Sequence, residues 1–402
     1  MATPDNEKKI STQLTASKEE GEEIQLIIQH WIRILNIKLG WIHDFDKFVV
    51  NYVCILFFKY LFDTFTGHTN WVNSIDYSTF DDNQFICSGS EDSTIRVWDI
   101  ETYRQVRLFN QSSSVNCVRF SPYHYYNNHR RNVICFSSDD KAIHFYDIKD
   151  NRQFQIFNGH TNSVFDIEFS PFNGGRYLCS GSRDNTICLW DVETSESLCT
   201  FNGHGNWVWC VDFSSLQSNN KNNSISGSGY TICSGSSDST IRIWDIETTK
   251  QLLVLNGHKY SVWCIKYGSN ELGNSGGANT ILSGSMDRSI RLWDIRSGQQ
   301  IQIFSEHKGY IYAVEYSPFI VKNIEIGGCS NVICSGSTDN TIRFWDIRSN
   351  KNELYLIKAS NQEENGIKSL KFIPLKKKEQ KNNNNGINLC YGSLKGLICI
   401  WG

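Results

Sequence analysis

Between residues 164 and 201 the apolar positions fall in short runs separated by polar turns. Val164–Phe169 alternates, Ser170-Pro171-Phe172-Asn173-Gly174-Gly175 breaks the run, and Arg176–Ser182 resumes it. Arg183-Asp184-Asn185 forms a second break, Thr186–Trp190 follows, and Glu193-Thr194-Ser195 leads into Leu198–Phe201. Alternation with period two, bounded by Gly, Pro, Asn and Asp, predicts strands joined as antiparallel neighbours. Four such strands make one small sheet with two apolar faces. Such a sheet must stack on others, so units of this kind are expected to close into a ring. Near the N-terminus the period changes. Ile24, Ile27, Ile28, Trp31, Ile34 and Leu35 have helical spacing, with Gln25, Gln29 and Arg33 opposite. A second helix is expected from Asp44, apolar almost all round through Leu56. It needs a cover, which either the ring or a partner would supply.

The pattern repeats. Cys-Ser-Gly-Ser-x-Asp-x-Thr-Ile-x-x-Trp-Asp occurs at Cys87–Asp99, Cys179–Asp191, Cys233–Asp245 and Cys334–Asp346, with a variant at Leu282–Asp294. Weaker copies end at Tyr146-Asp147 and Trp401-Gly402. The anchors Trp98, Tyr146, Trp190, Trp244, Trp293, Trp345 and Trp401 stand 44 to 56 residues apart. Upstream of most lies Gly-His or a relic of it: Gly67-His68, Gly159-His160, Gly203-His204, Gly257-His258 and Glu306-His307. Over residues 59–402 the chain resembles the WD40 (G-protein-β-like) repeat family. The resemblance implies an all-β fold, a seven-bladed WD40 β-propeller with a short N-terminal helical segment. In this family a fourth strand follows the anchor Trp, but only Gly402 follows Trp401. The segment 59–65 matches a fourth strand, with Phe65 in the slot of Phe157 and Phe201, so it is expected to complete the last sheet. The expected organisation is an acidic disordered N-terminus over 1–21, a helical segment over 22–58 and the propeller over 59–402.

Charge and composition narrow the function. The 402 residues carry 39 Lys and Arg against 42 Asp and Glu, a net charge of −3. Residues 1–23 hold that whole excess and the remainder sums to zero, which excludes a strongly basic nucleic-acid-binding body. The N-terminus lacks an export pattern, and the longest apolar stretch, Val49–Phe58, is half of what a membrane span needs. A cytoplasmic location, or also a nuclear one, is expected. Of the 14 cysteines, Cys87, Cys135, Cys179, Cys233, Cys334 and Cys390 recur at one strand position and Cys117, Cys210 and Cys264 at another, without a C-x-x-C pair, so they read as small buried hydrophobes. Glycine clusters such as Gly227-Ser228-Gly229 lack the Lys-Ser/Thr of a phosphate loop. His124, His129 and His144 read as surface or satisfied histidines, and Lys376-Lys377-Lys378 as a solvated loop. No cofactor, metal or catalytic residue is expected.

Recurring Ser, His and Asp look like a nucleophilic triad. The sets are His68/Ser88/Asp92/Trp98, His160/Ser180/Asp184/Trp190, His204/Ser234/Asp238/Trp244, His258/Ser283/Asp287/Trp293 and His307/Ser335/Asp339/Trp345. Five copies of a triad in one chain have no mechanistic use. The family resemblance implies buried tetrads, Trp to Ser to His to Asp, formed with the first Ser of Ser-Gly-Ser or else the second. Repeat two keeps only Asp140, with Ser112, Phe136 and Tyr146 at the other positions, so Asp140 is expected to hold no imidazole. Repeat seven keeps only Trp401, with Tyr391 and Lys395 elsewhere. Both are expected to rely on apolar packing.

Insertions at Ser218–Tyr230, Gly268–Thr280, Phe319–Asn331 and Ile373–Asn388 all fall between first and second strands, leaving the opposite face short-looped. By the resemblance, residues three and five after each His line the channel mouth there. They are Trp71/Asn73, Ser163/Phe165, Trp207/Trp209, Ser261/Trp263 and Tyr310/Tyr312, with Ser114/Asn116 and Gly366/Lys368 in the anomalous repeats. Phe165, Trp207, Trp209, Trp263, Tyr310 and Tyr312, with Arg183 and Met286 beside turn aspartates, are the expected partner-binding group, although some rings could pack between blades. The implied function is a non-enzymatic scaffold or adaptor for other proteins or peptide segments. A rival is a substrate receptor of a cullin–RING ubiquitin ligase, because Ile281–Arg296 resembles the box such receptors use. Ile333–Arg348 is a second near match, which would place a ligase adaptor at Arg296 and Arg348. Residues 22–39 are too short for the coiled coil of a G-protein β-subunit.

Overall fold

The computed structural model describes residues 61–78, 84–127, 130–214, 230–268, 280–317, 332–347, 353–359, 365–375 and 386–401. The expected N-terminal segments (1–21 and 22–58), Arg348, His129, the Lys376–Lys378 run and most of the long inserted loops lie outside them. The described chain forms seven four-stranded antiparallel sheets, the blades of a β-propeller. Innermost strands of blades one to seven are Val72–Tyr77, Val115–Phe120, Val164–Phe169, Val208–Phe213, Val262–Tyr267, Ile311–Tyr316 and Ile367–Leu375. Blade three shows the plan: Val164–Phe169, Tyr177–Ser182, Thr186–Asp191 and Glu196–Asn202 lie in that order outward from the channel. Among the described residues helix is confined to Pro122–Asn127 in blade two and a single 3-10 turn at Asn173–Gly175.

Each buried apolar cluster draws on two neighbouring blades. One joins Cys135, Phe145 and Phe157 of blade two to Val164, Leu178 and Trp190 of blade three. Another joins Cys390, Ile398 and Ile400 of blade seven to Val72, Ile86 and Trp98 of blade one. No blade owns a complete core, which is why the unit must repeat to be stable. The small residues of Cys-Ser-Gly-Ser permit that contact. A Cβ on Gly89 would come within 2.6 Å of Val115 and Val118 of the next blade, and one on Gly392 within 2.7 Å of Val72.

The ring closes through a strand from the start of the described chain. Leu61–Phe65 pairs antiparallel with Ile398–Trp401, in the register Phe65 to Ile398 and Thr64 to Cys399. Phe65 lies 5.1 Å from the Trp98 ring, as Phe157 lies 5.3 Å from Trp190 and Phe304 5.2 Å from Trp345. Blade seven therefore takes its outermost strand from one end of the described chain and the other three from the opposite end.

Candidate functional site

Every innermost strand contains a register shift against its neighbour, and the skipped residue is the same in each repeat. Val72 faces Ser90 and Ser74 faces Gly89, so Asn73 is passed over. By the same pattern Asn116, Phe165, Trp209, Trp263, Tyr312 and Lys368 are passed over. A bulge leaves one residue out of the ladder and re-aims its side chain. These seven residues line one cavity of about 420 Å³ at the channel.

Around this mouth the aromatic residues interlock from blade to blade. Phe165 stacks on Trp209 at 4.1 Å and 16°, and Trp263 on Tyr312 at 4.3 Å and 5°. Trp209 meets Trp263 edge-on at 6.1 Å and Trp207 at 5.8 Å, and Tyr310 meets Trp263 at 5.5 Å. Trp209 Nε1 donates to Ser237 Oγ at 2.6 Å. All six aromatic residues singled out in the sequence thus converge. They are half-buried, so they serve at once as contact surface and as packing between blades. Arg183 is exposed, with its guanidinium 4.2 Å above the Trp207 ring. Met286 is half-buried, with its N–H bonded to Ser261 O at 2.9 Å. On blades one and two the bulged residues are polar, although Trp71 of blade one also lines the mouth: Asn73 Nδ2 donates to Glu91 (3.2 Å) and Val115 O (3.0 Å), and Asn116 Nδ2 to Asp139 and Val164 O (both 3.0 Å).

Three residues beyond each bulge, about 10 Å along the channel, lies a charged ring: Asp76, Arg119, Glu168, Asp212, Lys266, Glu315 and Lys371. Arg119 pairs with Glu168 at 3.0 Å and approaches Asp166 at 3.7 Å. Lys266 stands 3.8 Å from Glu168 and 4.0 Å from Asp212, and Lys371 is 3.6 Å from Asp76. The acids also accept backbone N–H groups of the next blade. Phe120 donates to Asp76 (2.9 Å), Val211 to Asp166 (3.0 Å) and Tyr267 to Asp212 (2.9 Å). Burial pushes Asp212 up to about 6, against the opposing pull of Lys266. Burial also raises Glu168, but the cations Arg119 and Lys266 outweigh it and hold the carboxyl low. In the sequence this ring stands at the eighth position after each tetrad His, where the mixed signs of its charges leave no repeated residue type to mark it.

The recurring Ser, His, Asp and Trp come together in all five repeats. His Nδ1 lies 2.8–2.9 Å from the turn Asp, and His Nε2 2.7–2.8 Å from the first Ser of Ser-Gly-Ser. That Ser accepts the indole N–H at 2.8–2.9 Å. The Ser residues at Ser88, Ser180, Ser234, Ser283 and Ser335 are wholly buried, so none is presented to a substrate. The second Ser does other work: Ser90 Oγ donates to Asn70 O at 3.2 Å. Burial alone would raise Asp238. Bonds from His204, Thr240 and the Gly205 N–H outweigh it and hold the carboxyl well below the usual range.

The two divergent repeats are not purely apolar. Asp140 does hold an imidazole, contrary to expectation. His144, four residues along on the next strand, reaches it at 2.9 Å and stacks on Phe136 at 4.8 Å. In blade seven Tyr391 accepts the Trp401 indole N–H at 3.2 Å. His124 is buried, bonded to Ser121 at 2.8 Å, and burial draws it down to about 4. Ile281–Asp294, most of the ligase-like box, is a hairpin of blade five whose Trp293 is buried, while Arg296 is exposed on the following turn. Among the described residues no group of three His, Cys, Asp or Glu could hold a metal ion, and no helix is long and apolar enough to cross a membrane.

The family described as WD domain, G-beta repeat, matches residues 59–99, 103–147, 151–191, 195–245, 249–294 and 298–346. Each matched segment takes in the outermost strand of one blade and ends with the third strand of the next. Blade seven beyond residue 346 lies outside the matched segments. A shorter stretch is similar to the Ribosome biogenesis protein BOP1 homologs of Arabidopsis thaliana and Drosophila grimshawi. Each is 36% identical over 58 residues, 14% of this chain and 7% of the relative's length.

Proposed function

The chain belongs to the WD40 repeat family, and from that premise we propose that it is a non-enzymatic scaffold or adaptor holding peptide segments of partner proteins on its short-looped face. Propellers of this family generally bind other proteins and are generally not enzymes. The observation that supports this face is the run of interlocked rings Phe165, Trp209, Trp263 and Tyr312 around the channel mouth, with Trp207 and Tyr310 beside it. Rings fixed by their neighbours have little rotamer freedom left to lose, which favours capture of an extended peptide. The likeness to the ribosome-biogenesis proteins spans little more than one repeat, so it supports the repeat and carries no process over to this chain. The proposed setting is the cytoplasm, or also the nucleus.

Affinity purification with quantitative mass spectrometry tests the reading. Trp207→Ala or Tyr310→Ala should weaken capture of the recovered partners by about 1–3 kcal/mol, as central anchors do. Deleting residues 219–228, in the connection that leaves the opposite end of the blade-four strand, should leave capture intact. Partners that survive both aromatic changes but are lost with the deletion would place the working surface on the other face.

A further inference from the structure

Three cations of the channel ring have acidic partners: Arg119 and Lys266 contact Glu168, and Lys371 contacts Asp76. Lys368 at the mouth does not. Its ammonium lies 3.6 Å from the centre of the Tyr312 ring, 5.6 Å from Trp71 and 5.9 Å from Trp263. Among the described residues no carboxylate oxygen lies within 4.0 Å of it. The nearby acids of this face are engaged elsewhere, Glu91 by Asn73 and Asp139 by Asn116. Aromatic faces offset only part of an ammonium's lost hydration. Arg183, elsewhere on the same mouth, likewise rests on a ring, that of Trp207.

Resting on the interaction reading above, we propose that the mouth selects a carboxylate, carried by a peptide C-terminus or by an Asp or Glu side chain, and that Lys368 receives it. The carboxylate supplies the counter-charge that the chain itself withholds, and charge-assisted bonds are strong in a partly dehydrated site. Neighbouring apolar atoms of the ligand lie against Trp263 and Tyr312. Deeper in the cavity the cations Arg119 and Lys266 are already paired with Glu168 and Asp212, and Lys371 lies beside Asp76, so Lys368 is the cation that offers an anion a place at the mouth. A cationic side chain would meet Lys368 already seated among the rings. Burial draws the Lys368 ammonium down to about 8, against the field of Glu91. Among the described residues the other ionisable groups near it are Tyr310, Tyr312 and Cys264. Burial pushes Tyr312 up to about 12 and the Cys264 thiol higher, so neither titrates near Lys368.

The test is titration of the full chain, followed by tryptophan fluorescence, with four probes: N-acetylphenylalanine, N-acetylaspartic acid α-amide with its side-chain carboxylate free, N-acetylphenylalanine amide and Nα-acetyllysine methylamide. At pH 7 at least one carboxylate probe should bind roughly tenfold or more tighter than the neutral and cationic probes. Preference for the first identifies a chain terminus, and preference for the second a side chain. Lys368→Met should erase the discrimination. Lys368→Arg should keep it and carry it unchanged to pH 9, whereas the natural chain loses affinity as pH rises through about 8. Binding of both carboxylate probes no tighter than of N-acetylphenylalanine amide, preference for the lysine probe, or no binding of any probe overturns the assignment. Partner capture that falls with Trp207→Ala but not with Lys368→Met removes the carboxylate and leaves the interaction reading standing. Capture indifferent to both removes both.

Discussion

Four histidines in near-identical tetrads hold their protons differently. Burial brings His68, His204 and His258 below the ordinary value, helped by Arg96, Arg242 and Arg291 nearby. His160 is raised to about 9: burial still opposes its charge, but Asp184 and Cys188 outweigh it. Cys188 stands where those blades have an arginine. A raised histidine contributes stability that is present below about 6.5 and lost as pH rises through about 9. Cys188→Arg should bring His160 below its ordinary value and flatten stability between pH 7 and 9. NMR titration of the imidazole checks it, and a resonance still moving near pH 9 would contradict it. The aspartates run the other way. Asp238 is held low when folded, so its contribution is present above pH 3.8 and lost as pH falls. It accepts from His204, Gly205 and Thr240, whereas Asp140 accepts from His144 and Ala142 and is more exposed. Asp238→Ala should cost on the order of 1–3 kcal/mol and Asp140→Ala less, in denaturant melts. Repetition made the tetrads legible in the sequence. His144 was missed because it stands at the arginine position and approaches Asp140 from a different strand.

At the scale of strands, the second and third of each blade could be read directly, because Cys-Ser-Gly-Ser and the Trp-Asp ending mark their limits. The innermost strands gave alternation but not their bulges, since a one-residue register shift leaves no change in composition. The shift nevertheless decides what faces the mouth. It turns Lys368 and Trp263 into the channel and places the charged ring three residues further on. That ring joins blades as much as it lines a cavity. Asp212 accepts the Tyr267 N–H of blade five and faces Lys266, while Glu168 and Glu315 oppose its charge. Asp212→Ala should leave a buried N–H without an acceptor and cost about 1–3 kcal/mol. Asp212→Asn keeps an acceptor oxygen and should cost much less. Because burial raises Asp212 to about 6, the natural chain should gain stability as pH falls from about 6 toward 4. The Asn variant should lose that gain. Equal losses for Ala and Asn would show that charge, not the backbone bond, is what blade five needs.

For the whole molecule, seven anchors and a segment over 59–65 that matches a fourth strand were enough to expect a ring closed by that segment. What the ring holds was only partly legible, since Lys368 and its ring neighbours are brought together from blades one, five, six and seven. Closure carries its own prediction. Leu61–Phe65 covers the edge of Ile398–Trp401, and Phe65 covers Trp98, in the cluster that joins blade seven to blade one. Removing residues 1–20, which are mostly polar, should leave thermal stability nearly unchanged. Removing 1–66 should uncover the edge of Ile398–Trp401 together with an apolar face, the combination that recruits other chains, and the fragment should aggregate. Phe65→Ala keeps the backbone ladder and removes only the packing. It should give a soluble protein weakened by roughly 3–5 kcal/mol, as for a buried Phe elsewhere. Size-exclusion chromatography and calorimetry separate these outcomes. A soluble 67–402 fragment that melts cooperatively at the temperature of the full chain would mean that blades one and seven are held by their shared apolar cluster alone, with the strand an ornament on an already closed ring.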